Sequence, residues 1–275
     1  MSGRPRRKII VFVSWLSSRP LWVLFVVVVT GLAAVVVGTR ALGRRWLRGQ
    51  EEDAAAVAGS LMPALGAAFA VMAAFGVAGA AADLRDAKAD VAREASAAAR
   101  LAWASSGHGS EGQQIQNDLL GYLRATTTGE WEGIDRLTPG DGSAYPSLQR
   151  VERGVRALVR DADLGSAAQS ELLGALDDLG GARRLRFTVA EPVEVAMVAL
   201  LLCSALALVI NAGILGLRRT DRVAAVVMTL VVVTGLSIAL MIAVGAPFSG
   251  AFPADTAPLD AVADDLQEGR FTLDP

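Results

Sequence analysis

Four long segments without a single charged residue constrain this chain more than any other feature: residues 21–39, 54–82, 195–217 and 223–254. A helix needs roughly 20 apolar residues to cross a hydrocarbon core, and one Arg or Asp at its centre costs about 2.5–3.5 kcal/mol on insertion scales. Charged residues make up 20% of the 275 positions, so gaps of this length point to a bilayer. The expected fold is an all-α membrane protein with four transmembrane helices in two antiparallel pairs. A helical extramembrane domain is expected between spans 2 and 3.

The chain divides accordingly. Residues 1–20 form a basic N-terminal segment in which Arg4, Arg6, Arg7 and Lys8 precede a short apolar run. That order resembles a signal peptide, but Ser17-Ser18-Arg19-Pro20 breaks the run and no small-x-small cleavage site follows. The segment reads as interfacial, with Trp15 at headgroup level. Residues 21–82 carry spans 1 and 2, residues 83–191 the helical domain, residues 192–246 spans 3 and 4, and residues 247–275 an acidic tail. Trp22 and Trp46 flank the first span, and Arg40, Arg44, Arg45 and Arg48 form a collar after it.

The second span is expected over residues 61–82, with Ser60 as N-cap and Pro63 in the first turn. It is rich in small residues, among them Gly66, Ala70, Ala73, Gly76, Gly79 and Ala80, which let helices approach closely in lipid. Residues 84–104 continue it as one helix. After a loop at 107–112, amphipathic helices are expected at 113–127 and 147–161, joined through a turn-rich connector at 138–143. A further helix covers 166–190 with a break at Gly180-Gly181. The third span covers 192–217 and the fourth 223–246, joined by a tight turn at 218–222. In the tail, Leu259, Val262 and Leu266 mark a short amphipathic helix over 258–269.

Candidate chemistry is sparse. The net charge of −2 leaves no electrostatic footprint for nucleic acid. His108 is the one histidine and lies in a Gly/Ser loop without metal-ligating neighbours. Cys203 reads as a small buried hydrophobe. Asp83, Asp86 and Asp90 share a helix face, and with Glu94 they suggest a solvated helix carrying local salt bridges. Asn211, Thr229, Thr234 and Ser237 are polar groups inside spans, with interhelical hydrogen bonds as their default role. No ionisable residue lies deep in a span, which argues against a proton-coupled transporter. Walker, G-x-G-x-x-G, H-E-x-x-H and CxxC motifs are absent, so no enzyme activity, cofactor or metal is expected. Met62, Leu65, Phe69, Met72 and Gly76 share one face of the second span, either a packing face or an apolar pore constriction.

With four spans, the N-terminus, the central domain and the tail share one side. Near the ends of the spans that side has five basic residues before the first span, Arg85, Lys88 and Arg93 after the second, and Arg183, Arg184 and Arg186 before the third; these eleven against seven on the other side favour a cytoplasmic central domain.

The order of short motifs resembles the bestrophin-like domain family of bacterial membrane proteins. Its carriers are Glu94 in Ala92-Arg-Glu94-Ala-Ser, Tyr122 in Leu119-Leu-Gly-Tyr122, and Glu130-Trp131. Arg183, Arg184 and Arg186 in one run, Pro192 before the third span, and the closing Pro247-Phe248-Ser249-Gly250 complete it. The second span departs from the family in being mostly Ala and Gly. The resemblance implies a multi-pass protein of the cell membrane and, by analogy with bestrophins, a pentameric homo-oligomer conducting small anions. A non-conducting anchor whose helical domain docks a partner is the alternative.

Overall fold

The structure, a computed structural model, describes residues 21–131, 142–160, 164–189, 195–217, 221–248 and 251–272. The interfacial segment 1–20, Pro192, Ser249, Gly250 and the turn residues 218–220 lie outside the described residues, as does most of the 138–143 connector. Every regular element among the described residues is helical. In order these are α1 (Leu21–Trp46), α2 (Glu51–Ser105), α3 (Gly109–Ala125), a π-helical turn (Thr126–Glu130), α4 (Tyr145–Leu158), α5 (Ser166–Val189), α6 (Val195–Leu215), α7 (Asp221–Val244) and α8 (Ala257–Gln267). Four of them, α1, α2, α6 and α7, are long and apolar enough to cross a membrane.

The chain forms two compact units. The first holds Met1–Ala82, Pro192–Ala246 and Gly250–Phe252; the second holds Asp83–Glu191, Pro247–Ser249 and Pro253–Pro275. Helix α2 therefore contributes to both.

In the first unit, α1 packs against both α6 and α7, and α6 packs against α7. Val36, Val209, Ala212, Val227 and Val231 form one core patch, and Leu24, Ala239 and Ala243 another. Close approaches are made through glycine. A side chain at Gly235 would run into Val29, and one at Gly213 into Thr39. Arg40, in the collar after α1, donates from Nε to the Gly216 carbonyl at 2.9 Å, satisfying an acceptor just past the end of α6. Asn211 does bond between helices, donating to the Ala58 carbonyl at 2.8 Å. Thr229 and Ser237 do not. Each donates to the carbonyl four residues earlier in its own helix, the cheapest acceptor in reach. Cys203 is exposed, not buried. It lies on the face of α6 that also exposes Leu206 and Ile210.

The start of α2 also differs from expectation. Glu51, Glu52 and Asp53 occupy its first turn, where acids complement the helix dipole, and an Ala-rich stretch propagates it. Ser60 is therefore not a cap, and Pro63 lies inside the helix.

In the second unit, α3 packs against α4, and α8 packs against α3. Its core joins Ala87, Val91, Ala98 and Leu101 of α2 to Leu119 and Leu123 of α3, Val151 and Val155 of α4, Leu172 and Leu179 of α5, and Leu259 of α8. The tail is thus part of this core, fixed further by Phe271, whose ring lies edge-on to Trp103 at 5.3 Å. The loop expected at 107–112 is shorter. Positive φ at Gly107 and Gly109 turns the chain, and α3 starts at Gly109 with His108 just before it making no capping bond. Helix α5 runs unbroken through Gly180-Gly181, with the buried Leu179 and Ala182 on either side of the pair and the Arg184 guanidinium near both glycines.

Candidate functional site

Buried charge marks the site in the second unit. Glu94 (α2), Glu130 (end of the π-turn), Arg183 and Arg186 (α5) are all buried, with Tyr122 of α3 beside them. Arg183 forms a two-pronged pair with Glu130, at 2.9 Å from Nη1 and 2.6 Å from Nη2. Arg186 bridges the two acids. Its Nη2 donates to Glu130 at 3.2 Å, and its Nε lies 2.7 Å from Glu94. That second contact is an ion pair without hydrogen-bond alignment. Tyr122 donates its hydroxyl proton to Glu94. The backbone N–H of Ala144 donates to Glu130 at 3.1 Å.

Two carboxylates and two guanidinium groups balance, which is the condition for charges to persist away from water. Aromatic rings complete the enclosure. Arg186 lies 5.7 Å from the Trp131 ring and 5.3 Å from Phe187, and Arg183 lies 5.1 Å from Phe187. Arg186 Nη1 has no hydrogen-bond partner among the described residues; ring faces are the neighbours that partly compensate it. Phe248, four residues after the end of α7, meets Trp131 edge-on at 5.4 Å. Burial first, and then the Glu94 charge, push the Tyr122 hydroxyl above its ordinary value. Burial pulls the Arg183 guanidinium down, but hydrogen bonds to Glu130 and Tyr122 outweigh it and hold it firmly charged.

Local geometry explains how an acid reaches this position. The wider π-turn after α3 carries Glu130 into the core. Gly142 is required opposite, since any side chain there would overlap the Glu130 carboxylate.

Of the family-like motif residues, Glu94, Tyr122, Glu130, Trp131, Arg183, Arg186 and Phe248 converge on this cluster, with Pro247 buried beside Phe248. Arg184 does not. It is exposed and lines a shallow hollow with Glu152, Arg156 and Asp177. Glu94 was expected in local salt bridges on a solvated helix. Instead it pairs across the fold, because it lies on the stripe of α2 that carries Ala87, Val91 and Ala98 into the core. Asp90 is buried too and pairs with Arg93 at 2.6 Å. Phe187 and Ala144 were not singled out in the sequence. Phe187 follows the buried spacing of α5, whereas nothing in the sequence marks a single backbone N–H.

In the first unit, Phe69 and Gly76 are buried, and Met62, Leu65 and Met72 are half-buried. They pack with Leu201, Ala205 and Leu208 of α6 and Ile238 and Met241 of α7. A Cβ at Gly76 would lie 2.7 Å from the Met241 sulfur. The opposite face of α2, with Leu61, Ala64, Ala68, Val71, Phe75 and Ala78, is exposed. Many small residues of the span do not make tight contacts. Gly66, Ala70, Ala74 and Ala81 line an open apolar groove of about 620 Å³ beside Val233 and Ser237 of α7. Among the described residues no group of His, Cys, Asp and Glu could hold a metal ion.

Comparison with known proteins agrees with this fold. A mutant form of a bacterial bestrophin homolog from Klebsiella pneumoniae shares the fold at a TM-score of 0.63, with 13% identity over 90% of this chain and 99% of that one. No curated protein shows significant similarity to the chain. The model of the Bestrophin-like domain matches residues 28–259, which contain both the spans and the buried cluster. The chain is an integral membrane protein that belongs to the bestrophin-like domain family.

Proposed function

We propose that the protein is a homo-oligomeric ion channel of the membrane, with small anions as the permeating class. The observation that carries this reading is the two-sided character of α2. One face is used up inside the chain against α6 and α7, while Leu61, Ala64, Ala68, Val71 and Phe75 remain exposed along the other. In a ring of copies that second face, together with the apolar groove beside it, is available for a neighbour or a central path. An apolar constriction there, with Phe75 as its largest side chain, would gate by dewetting. The span carries no charged residue over 54–82, so conduction would be passive. Anions follow from the likeness to bestrophins, and family likeness is a weaker warrant than geometry.

A pentamer, with consecutive spans antiparallel and the second unit in the cytoplasm, completes the arrangement. Mass measurement in mild detergent tests it first. A closed ring of several copies is expected, and a monomer would leave no room for a path along α2.

A further inference from the structure

The second unit carries two exposed faces of opposite charge on separate helices. Helix α4 buries Leu148, Val151, Val155 and Leu158 and turns Arg150, Arg153 and Arg156 outward, with Arg160 just past its end. These residues recur every three or four positions, so they share one side of the helix. Arg156 and Arg160 make no ion pair among the described residues. Among the described residues, Arg184 of α5 adjoins Arg156 and the acids nearby are Glu152, Asp177 and Asp118, the last 3.4 Å from Arg150. Positive charge is in excess among these residues, with Asp161 and Asp163 following Arg160 in the sequence. Helix α8 is the converse. It buries Leu259, Val262 and Ala263 and presents Asp260, Asp264 and Asp265, with Asp255 before it and Glu268 after it. Arg270 pairs with Asp265 at 2.8 Å and Glu268 at 2.7 Å, and Arg124 of α3 donates to Gln267 beside them, so two guanidinium groups stand against five acids.

Both helices are held on α3 in one compact unit. No ion pair among the described residues joins the arginine face to the tail acids of the same chain. Two different, complementary faces on one compact unit suit a head-to-tail contact, which forms a ring where its rotation closes and an open filament where it does not. We propose that the arginine face of α4 in one copy docks the acidic face of α8 in the next. This rests on the homo-oligomer reading above and names the contact that sets its register. Exposed pairs are individually weak, so the contact selects the neighbour's orientation while the spans supply most of the association.

The test is charge reversal with rescue on the full-length protein in mild detergent. One variant combines Arg153→Glu, Arg156→Glu and Arg160→Glu; a second combines Asp255→Arg, Asp264→Arg and Glu268→Arg; a third carries all six. Native mass across a dilution series is the readout, with helical content checking that each variant is folded. Each triple variant is expected to weaken assembly about ten-fold or more, and the six-fold variant to restore it. Intact assembly in either folded triple variant, or no restoration in the six-fold one, overturns the contact while leaving the oligomer reading standing. Loss of binding to phosphatidylglycerol vesicles by the arginine variant, with its assembly unchanged, also overturns it and assigns the face to anionic lipid. A monomeric wild-type protein instead removes the oligomer reading itself.

Discussion

The Nε of Arg186 lies 2.7 Å from the Glu94 carboxylate, although one residue is on α5 and the other on α2. This pair ties the part of the longest helix that belongs to the second unit to the ring of Trp131, against which Phe248 packs. Residues of the second unit from before the third span and after the fourth thus meet at one buried node.

Removing one partner of that node should cost far more than an ordinary surface pair. Arg186→Leu leaves Glu94 and Glu130 buried with a single guanidinium, and a loss of about 3–5 kcal/mol is expected. Arg184→Leu, on the exposed neighbour, is expected to cost less than about 0.5 kcal/mol. Denaturant titration of detergent-solubilised protein checks both, and equal effects would contradict the assignment.

Alkaline pH should loosen the same node through Tyr122. Its folded value is raised above the ordinary 10.0, so the folded state favours the protonated hydroxyl. The stabilisation is complete below that ordinary value and is lost as pH rises above it towards the folded value. Stability measured from pH 9 upward should fall more steeply in the Tyr145→Phe protein than in the Tyr122→Phe Tyr145→Phe double variant. Parallel curves would contradict the burial of this hydroxyl.

Gly76 tests packing within one chain. A Cβ at this position would lie 2.7 Å from the Met241 sulfur, so Gly76→Leu should destabilise the first unit by about 1–3 kcal/mol. Met241→Ala should recover part of that loss in the double variant. A Cβ at Gly66 meets nothing within 4 Å, so Gly66→Ala should leave the fold unchanged. Thermal unfolding of the three variants decides, and an unaffected Gly76→Leu protein would show that α2 does not sit against α7.

Topology makes a separate expectation. In a Cys203→Ala background, cysteines at Ser110, Ser143 and Thr256 should all be labelled from the cytoplasmic side. Labelling of Ser110 and Thr256 from opposite sides would overturn four spans. Labelling of all three from outside would reverse the orientation.

Much of this was legible in the sequence because burial follows helical spacing. The charge gaps mark α1, α2, α6 and α7, and the spacing of Leu259 and Val262 marks α8. The buried node was half legible. Arg183 and Arg186 continue the stripe of Leu172, Leu176 and Leu179, and Glu94 lies on the stripe of Val91 and Ala98. A charged residue on an apolar stripe needs an opposite charge in the core, although the stripe does not name the partner. What could not be read was the π-turn that delivers Glu130, since its sequence Thr-Thr-Thr-Gly-Glu has no period of its own. The start of α2 was missed because Pro63 and Ser60 suggest a beginning that the acids at residues 51–53 pre-empt.

Conductance tests the central claim most directly. Purified wild-type oligomer in planar bilayers with asymmetric chloride should carry current whose reversal potential follows the chloride gradient. Phe75→Ala should increase that current by widening the apolar neck. Silence from an intact oligomer, at both polarities and with several anions, would contradict a channel. A reversal potential that follows the cation gradient would retain the channel and refute its proposed selectivity.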